Sequence, residues 1–411
     1  MKLTTLLFII ICVQISPLWG ALNERRNSLD DGGFSLSSLG DGETKEKFEV
    51  KTAPEAVRVR IQSNVSTAVI TGEEITYDGF MGKPATVTFK RFTTDEWYID
   101  GRRWKSKSFQ EFLRVKGKHL RVNDQEVPGD VELKSRSNGK IDVIAALPLD
   151  TYLVGVLAGE VVASWPGEAL RAQAVVARTY TVQFLQNQRY KTFDIDSSQL
   201  DQVFRHLGAK AEQEKRALRM AVDETKNQVL YNSRGQLMSV YYHSDCGGVT
   251  ERPTSVWDQQ KTTGVLGRQP VTRCPLRSKV NWETFVPSRE VQAILNNKSR
   301  LQRFYISSRL PSSRVNSVTA EFADGTIKAL KANEFRKLFG YMRIKSALFD
   351  LRPHLTGYSI KGRGFGHGVG LCQWGSKWMA DQGRDYFEIA MHYFPQARVV
   401  TLRSPSPIKN R

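Results

Sequence analysis

Three stretches carry side chains that could do chemistry. The first, Leu149 to Phe184, reads LDTYLVGVLAGEVVASWPGEALRAQAVVARTYTVQF; it sets one carboxylate, Glu160, among apolar and small residues, and a second, Glu168, after Pro166. Burial strips water from a charged carboxylate and raises its pKa. A glutamate in such surroundings can therefore hold a proton to donate at working pH. The plainer alternative is a helix-end residue facing solvent. The second stretch, His243 to Glu251 (HSDCGGVTE), puts an imidazole and a thiol beside two glycines, where the backbone can approach a ligand closely. The third, Gly362 to Ala380 (GRGFGHGVGLCQWGSKWMA), adds His367, Cys372 and Gln373 in a glycine-dense run. Nucleotide-binding glycine loops have other spacings and a preceding strand, and no Walker lysine is present, so that reading is rejected. His367 and Cys372 are close enough in sequence to touch across the loop, which leaves a thiol–imidazole nucleophile open as a different class of function.

The elements that must position these residues are legible from periodicity. Tyr152, Val156 and Gly159 recur at helical spacing, as do Ala169, Ala172, Val176 and Tyr180. Ser164 can cap the second helix and Pro166 suits its first turn. The pattern predicts helix, break, helix, with Glu160 closing the first helix. Upstream, alternation predicts strands at 57–61, 85–92, 96–99, 119–122, 131–134 and 141–144. They are divided by turns at Thr71-Gly72, Asp78-Gly79, Asp100-Gly101, Asn123-Asp124 and Asn138-Gly139. Trp97, Tyr98, Trp104, Phe109 and Phe112 could line a groove or fill a core. Downstream, 212–225 reads as an amphipathic helix with Ala217, Met220, Ala221 and Val222 on one face. A hairpin of 228–231 and 237–242 then delivers His243 at its end. Helices are predicted at 288–297, 333–338, from Trp374 and over 386–394, with a strand pair either side of Asp324-Gly325.

These motifs resemble the SpoIID/LytB family. The match runs through Tyr152, Leu153, Gly155, Val156, Glu160, Trp165, Pro166, Glu168, Ala169, Leu170, Ala172, Gln173, Ala174, Val175, Ala177, Arg178, Thr179 and Tyr180. It continues in His243, Ser244, Cys246, Gly247, Gly248, Thr250 and Glu251, and in the Gly362 loop. Phe204 stands where relatives have tyrosine, and Cys372 where they often have serine. The resemblance implies an α+β fold, a mixed helix and sheet body with a β-rich N-terminal part and an inserted α/β subdomain beside a cleft. The expected layout is a signal peptide at 1–20, a flexible linker at 21–50, the β-rich part at 51–148, and the catalytic core in two parts at 149–282 and 357–400. The inserted subdomain spans 283–356, and a basic tail 401–411.

What the resemblance implies about activity is cleavage of peptidoglycan glycan strands by a lytic transglycosylase, with Glu160 as the single catalytic acid and 1,6-anhydro-N-acetylmuramic ends as product. The alternative is a non-catalytic enhancer of a cell-wall amidase. His243, Ser244, His367 and Gln373 are candidates to hold the sugar or donate near the leaving oxygen. Arg178 is open to a substrate contact or to a structural role with Glu168, and Asp245 is the nearest candidate for a second acid. The chemistry requires no cofactor. Cys246 and Cys274 flank one turn and could pair as a disulfide in an oxidising compartment; the rival reading is zinc on His243, Cys246 and Cys274 with a further ligand.

Composition agrees with an exported glycan-binding chain. Its 411 residues carry a net charge of +18, yet 21–50 holds seven acidic against four basic residues, so the basicity resides in the body. A basic body expects a polyanion or anionic surface. The apolar run after Lys2 reads as a secretory leader too short for a comfortable span, which argues against nucleic acid and for cell-wall glycan. No further transmembrane span is expected, and the location is the cell envelope, periplasmic or extracellular.

Overall fold

The computed structural model describes residues 52–404 apart from 78–79, 81–83, 92–95, 106–111, 188–191, 198–201, 206, 208–210, 258–271, 275 and 277. The expected leader, the linker at 21–50, the turn at Asp78-Gly79, Phe109 and the end of the basic tail lie outside the described residues. The fold is α+β, as the sequence implied.

Nine strands come first: β1 (Ala56–Val65), β2 (Thr67–Tyr77), β3 (Thr86–Arg91), β4 (Glu96–Ile99), β5 (Arg102–Lys105), β6 (Phe112–Val122), β7 (Gln125–Glu126), β8 (Asp130–Ser135) and β9 (Ile141–Pro148). Helices α1 (Leu149–Glu160) and α2 (Gly167–Asn187) follow, then β10 (Ile195–Asp196). These strands make one sheet in the order β10-β1-β9-β8-β6-β2-β3-β4-β5, with β7 paired to β6. The alternation in β1 places Val57 and Val59 in the core, while Arg58 reaches Glu132 on β8 and Arg60 reaches Asp196 on β10. β2 runs straight through Thr71-Gly72, where a turn was expected. Its pairing with β6 shifts between Thr71 and Glu73, and a side chain at Gly72 would meet the Lys118 carbonyl at 2.8 Å. The glycine therefore marks a bulge, not a chain reversal. Trp97 is fully buried in the core and lines no groove, and Trp104 packs against the same core.

α1 is apolar almost all round, with Leu149 and every residue from Tyr152 to Ala158 buried, as a core helix must be. Two glycines open its surface. A Cβ at Gly155 would lie 2.2 Å from the Phe204 ring, and one at Gly159 would lie 2.5 Å from the Val203 carbonyl. Segment 202–205 thus lies directly on the helix, with Arg205 donating from its backbone to Gly155 and from Nε to Ala158. α2 starts one residue after Pro166, whose carbonyl accepts from Ala169 and Leu170, so Pro166 and not Ser164 occupies the cap position. One side of α2 (Ala174, Ala177) belongs to the sheet core; the other (Ala172, Val175, Val176, Tyr180) faces a second core with the C-terminal helices.

The remaining elements are α3 (Glu212–Glu224), β11 (Gln228–Tyr231), β12 (Tyr242–His243), α4 (Pro253–Val256), β13 (Asn281–Pro287), α5 (Ser288–Ile294), β14 (Leu301–Arg309), β15 (Val315–Phe322), β16 (Ile327–Lys331), α6 (Ala332–Phe339), β17 (Phe349–His354), β18 (Gly357–Arg363), β19 (Leu371–Cys372), α7 (Gln373–Asp381), α8 (Tyr386–Tyr393) and β20 (Arg398–Thr401). In α3, Leu218, Ala221 and Val222 are buried while Met220 is exposed, so the apolar face is turned from the one expected. The expected hairpin is largely replaced: β11 pairs with β20, and only isolated contacts at Leu237 and Met238 return to it. β12 pairs in parallel with β19, with Tyr242 opposite Leu371 and His243 opposite Cys372. Two three-stranded sheets, β13-β18-β17 and β14-β15-β16, enclose with α5 and α6 a separate core that includes Trp282, Phe304, Phe335 and Ile360. Among the described residues no helix is long and apolar enough to cross a membrane.

Close contact of Gly155 with Phe204 makes a checkable expectation. Gly155→Ala should cost about 1–3 kcal/mol by overpacking, read by urea unfolding. Phe204→Ala in the same chain should recover part of that loss, and strictly additive costs would refute the contact as the cause.

Candidate functional site

Glu160 is the last residue of α1, and three segments converge on it. Its Oε1 accepts from the Val203 backbone amide at 2.9 Å. Its Oε2 accepts from Gln373 Nε2, the first residue of α7, at 3.4 Å. The Tyr242 hydroxyl is buried beside the carboxyl and Gln202, without a hydrogen bond of full geometry to either. Gln202 is itself held by the Tyr152 hydroxyl at 3.0 Å and the Thr181 hydroxyl at 2.9 Å. Loss of hydration is the largest influence on Glu160 and raises its carboxyl above the usual range; hydrogen bonds from Val203 and Gln373 and the nearby Tyr242 hydroxyl pull the other way and are smaller. The residue stays half-buried, and Val162, just beyond it, is exposed. The carboxyl is thus held by Val203 and Gln373 rather than standing free in solvent, and an acid so placed can donate a proton.

Behind this acid lies a second group. Adjacent residues on an extended strand point to opposite sides. Tyr242 turns to Glu160 while His243 turns to the cysteines, and at the start of α7 Gln373 serves Glu160 while Cys372 serves the cysteines. All three described cysteines are free and buried, so the Cys246–Cys274 disulfide does not form in this structure. The physical reason is that Cys372, left over in that pairing, enters the same pocket. The ligand atoms of His243, Cys246 and Cys372 lie within 4.8 Å of one another. Hydrogen bonding from Cys246 and Cys372 pulls the Cys274 thiol well below the usual thiol range. Backbone amides also aim at sulfur: Cys246 and Gly375 donate to Cys372 Sγ, and Gly248 donates to Cys246 Sγ, each at 3.3 Å. Against these donors, the hydrogen bond with Cys274 pushes the Cys246 thiol up to about 12 and burial pushes Cys372 well up.

These residues fit zinc. His243 donates from Nδ1 to the Val369 carbonyl at 3.0 Å, which leaves Nε2 as a buried lone pair without a partner. Burial and the nearby Arg314 push this imidazole down to about 3, so it stays neutral. A neutral imidazole oriented by a carbonyl is the usual state of a metal-bound histidine. The ligand set expected from sequence lacked Cys372, which the parallel pairing of β12 and β19 brings opposite His243.

The other expected site residues divide. His367 accepts from Val369 N at Nδ1 and packs among Tyr241, Trp257 and His243, with ring centroids 6.3, 5.1 and 5.4 Å away. Cys372 is fully buried and its pKa is pushed well up by burial, the opposite of an activated nucleophile. Ser244 contributes its backbone carbonyl, which accepts from Trp374 N at 3.1 Å. Arg178 is not positioned for substrate: it is fully buried, and its guanidinium donates to the carbonyls of Val222 near the end of α3 and Gln228 at the start of β11. Glu168 pairs with Arg171 instead, and accepts from the Tyr386 amide at 2.8 Å at the start of α8. Asp245 is buried and spent on four donors, Gly247 N, Ser278 Oγ, Lys279 N and Val280 N. A second acid is not available from it. Sequence reasoning passed over Tyr242 and Val203; for Tyr242 the one available signal was its place beside His243 at the end of an apolar run.

Comparison with known proteins adds to this geometry. A family model described as stage II sporulation protein matches residues 137–231, and one described as a domain of unknown function (DUF8618) matches residues 211–370. An uncharacterised protein of Brachyspira hyodysenteriae is 30% identical over 268 residues, covering 64% of this chain and 69% of that protein. Stage II sporulation protein D of Bacillus amyloliquefaciens is 26% identical over 286 residues, covering 66% of this chain and 78% of the relative. The amidase enhancer of Bacillus subtilis is 28% identical over 291 residues, 59% of this chain but only 39% of the enhancer. The first of these models spans Glu160 and the helices around it, and the chain belongs to the SpoIID/LytB family.

Proposed function

We propose that this chain is exported to the cell envelope and cleaves peptidoglycan glycan strands as a lytic transglycosylase, with Glu160 as its catalytic residue. The observation that carries the proposal is the Glu160 carboxyl itself, raised by burial yet held in place by Val203 and Gln373. Protonated Glu160 gives its proton to the glycosidic oxygen as the C1–O bond of N-acetylmuramic acid breaks. The C6 hydroxyl of that sugar then bonds to C1, and its proton passes to the Glu160 carboxylate. A 1,6-anhydro end forms, no water is consumed and the acid is regenerated. One carboxyl suffices for this sequence, whereas most hydrolases of glycosides need two; the commitment of Asp245 to four donors favours the one-carboxyl route. Tyr242 and Gln373 orient the carboxyl. Zinc held by His243, Cys246, Cys274 and Cys372 would supply a cross-link between β12, which carries Tyr242, and the β19–α7 junction, which carries Gln373, with no position left open for substrate.

A second reading is a non-catalytic chain that holds wall glycan and stimulates a separate amidase. The similarity to an amidase enhancer and the charge of +18 favour it.

Three outcomes separate these readings. Purified protein incubated with glycan strands stripped of stem peptides should yield 1,6-anhydro ends by mass spectrometry. Glu160→Gln should lower that rate by about 10²–10⁴-fold and should not lower the melting temperature at neutral pH. Retained strand binding with no anhydro ends from the native chain would leave the enhancer reading. The rate should fall as pH rises through the raised Glu160 pKa, because the protonated form is the donor. Gln373→Leu removes a bond that favours the ionised form, so it should shift this alkaline limb to higher pH; a shift to lower pH would contradict the assignment.

A further inference from the structure

The tip of the β14–β15 hairpin belongs to the separate core around Trp282, yet it reaches the cysteine turn. Ser312 donates to the Glu251 carboxylate, and Arg314 NH2 donates to the Cys246 carbonyl at 2.6 Å. Arg314 is 1% exposed, and among the described residues it makes no ion pair with a carboxylate within 4.0 Å; its Nε and NH1 are buried without partners. A buried guanidinium without compensating charge is costly. The sulfur group lies beside it, across the Cys246 carbonyl that Arg314 NH2 bonds, and thiolates ligating a metal there would supply that charge. A divalent metal with three thiolates and a neutral imidazole carries a single net negative charge, which one arginine balances.

The backbone is shaped around this side chain. At Gly368, where φ is +83°, a Cβ would stand 2.4 Å from the Arg314 guanidinium. The Gly368 carbonyl accepts from Glu251 N at 2.7 Å, and the next carbonyl, Val369, orients His243. Arg314 therefore sits between the Cys246 turn and the Gly368 segment, touching both halves of the sulfur–imidazole group. A second guanidinium, Arg363, takes the adjacent Gly247 carbonyl at 2.9 Å.

We infer that Arg314 is the positioning residue of the His243–Cys246–Cys274–Cys372 group, balancing its charge and tying the inserted subdomain to it. The charge balance and the first readout rest on the metal reading; the tie through the Cys246 carbonyl and the thiol readout do not. In the full chain, Zn(II) and Co(II) affinity should fall about 10–100-fold in Arg314→Met, with loss of the sulfur-to-Co(II) absorption band. Arg314→Lys keeps the charge without the planar fork, so its loss should be smaller. In chelator-treated protein, the three thiols should react slowly with a disulfide reagent in the native chain. They should react faster in Arg314→Met, with Arg314→Lys between, because the bond that holds the Cys246 carbonyl is lost. A native chain that takes up neither metal would end the metal reading while the thiol rates still decide the role of Arg314. Metal affinity and thiol rates unchanged in both variants would overturn the inference, and the melting temperature of Arg314→Lys separates lost positioning from lost folding.

Discussion

A carboxyl group that is to keep its proton near neutrality must lose water without gaining too many hydrogen-bond donors. Every donor aimed at the ionised form works against the effect of burial. Glu160 meets this constraint by taking one backbone amide from Val203 and one long amide contact from Gln373, while apolar helix surrounds its stem. Asp245 shows the contrary case in the same molecule. It accepts from four donors, which tie its side chain to the Gly247 turn and to residues 278–280.

The neighbours of Glu160 are held by an economical arrangement. Two adjacent residues on β12 and two at the β19–α7 junction point in opposite directions. One of each pair serves the acid, and the other serves the sulfur–imidazole group. Anything that stiffens the sulfur side therefore stiffens the acid side as well. Bringing the strands together requires backbone close approach, and Gly370 shows how close: a Cβ there would lie 2.1 Å from the Tyr241 carbonyl. The glycines of this loop are steric necessities of the packing and not a phosphate cradle.

Buried arginines recur where the chain is irregular and carbonyls would otherwise lack partners. Arg178 collects the carbonyls of Val222 and Gln228, Arg336 those of Ile344 and Lys345, and Arg314 that of Cys246. A guanidinium offers several donors in a fixed plane, so one side chain can satisfy a whole turn. Arg178 ties the end of α3 to the start of β11 in this way, and so explains why a residue of a long motif in the family need not touch substrate.

Local pattern was enough for much of this protein. The alternation of β1, the helix–break–helix around Glu160, the placement of that glutamate at a helix end, and the α+β class all follow from periodicity that each segment carries alone. Partner choice did not. β11 pairs with β20 rather than with the segment after it, and β12 pairs with β19, contacts between residues more than a hundred positions apart that no local signal encodes. The glycine at 72 reads as a turn by type and proves to be a bulge because a neighbouring strand presses on it. The sequence by itself determined which residues could act, the glutamate, the imidazoles and the thiols. Only the tertiary structure decided that Cys372 joins Cys246 and Cys274, that Tyr242 faces Glu160, and that Arg178 and Asp245 are structural, because burial and hydrogen-bond partners are set by chain segments that meet only in the folded state.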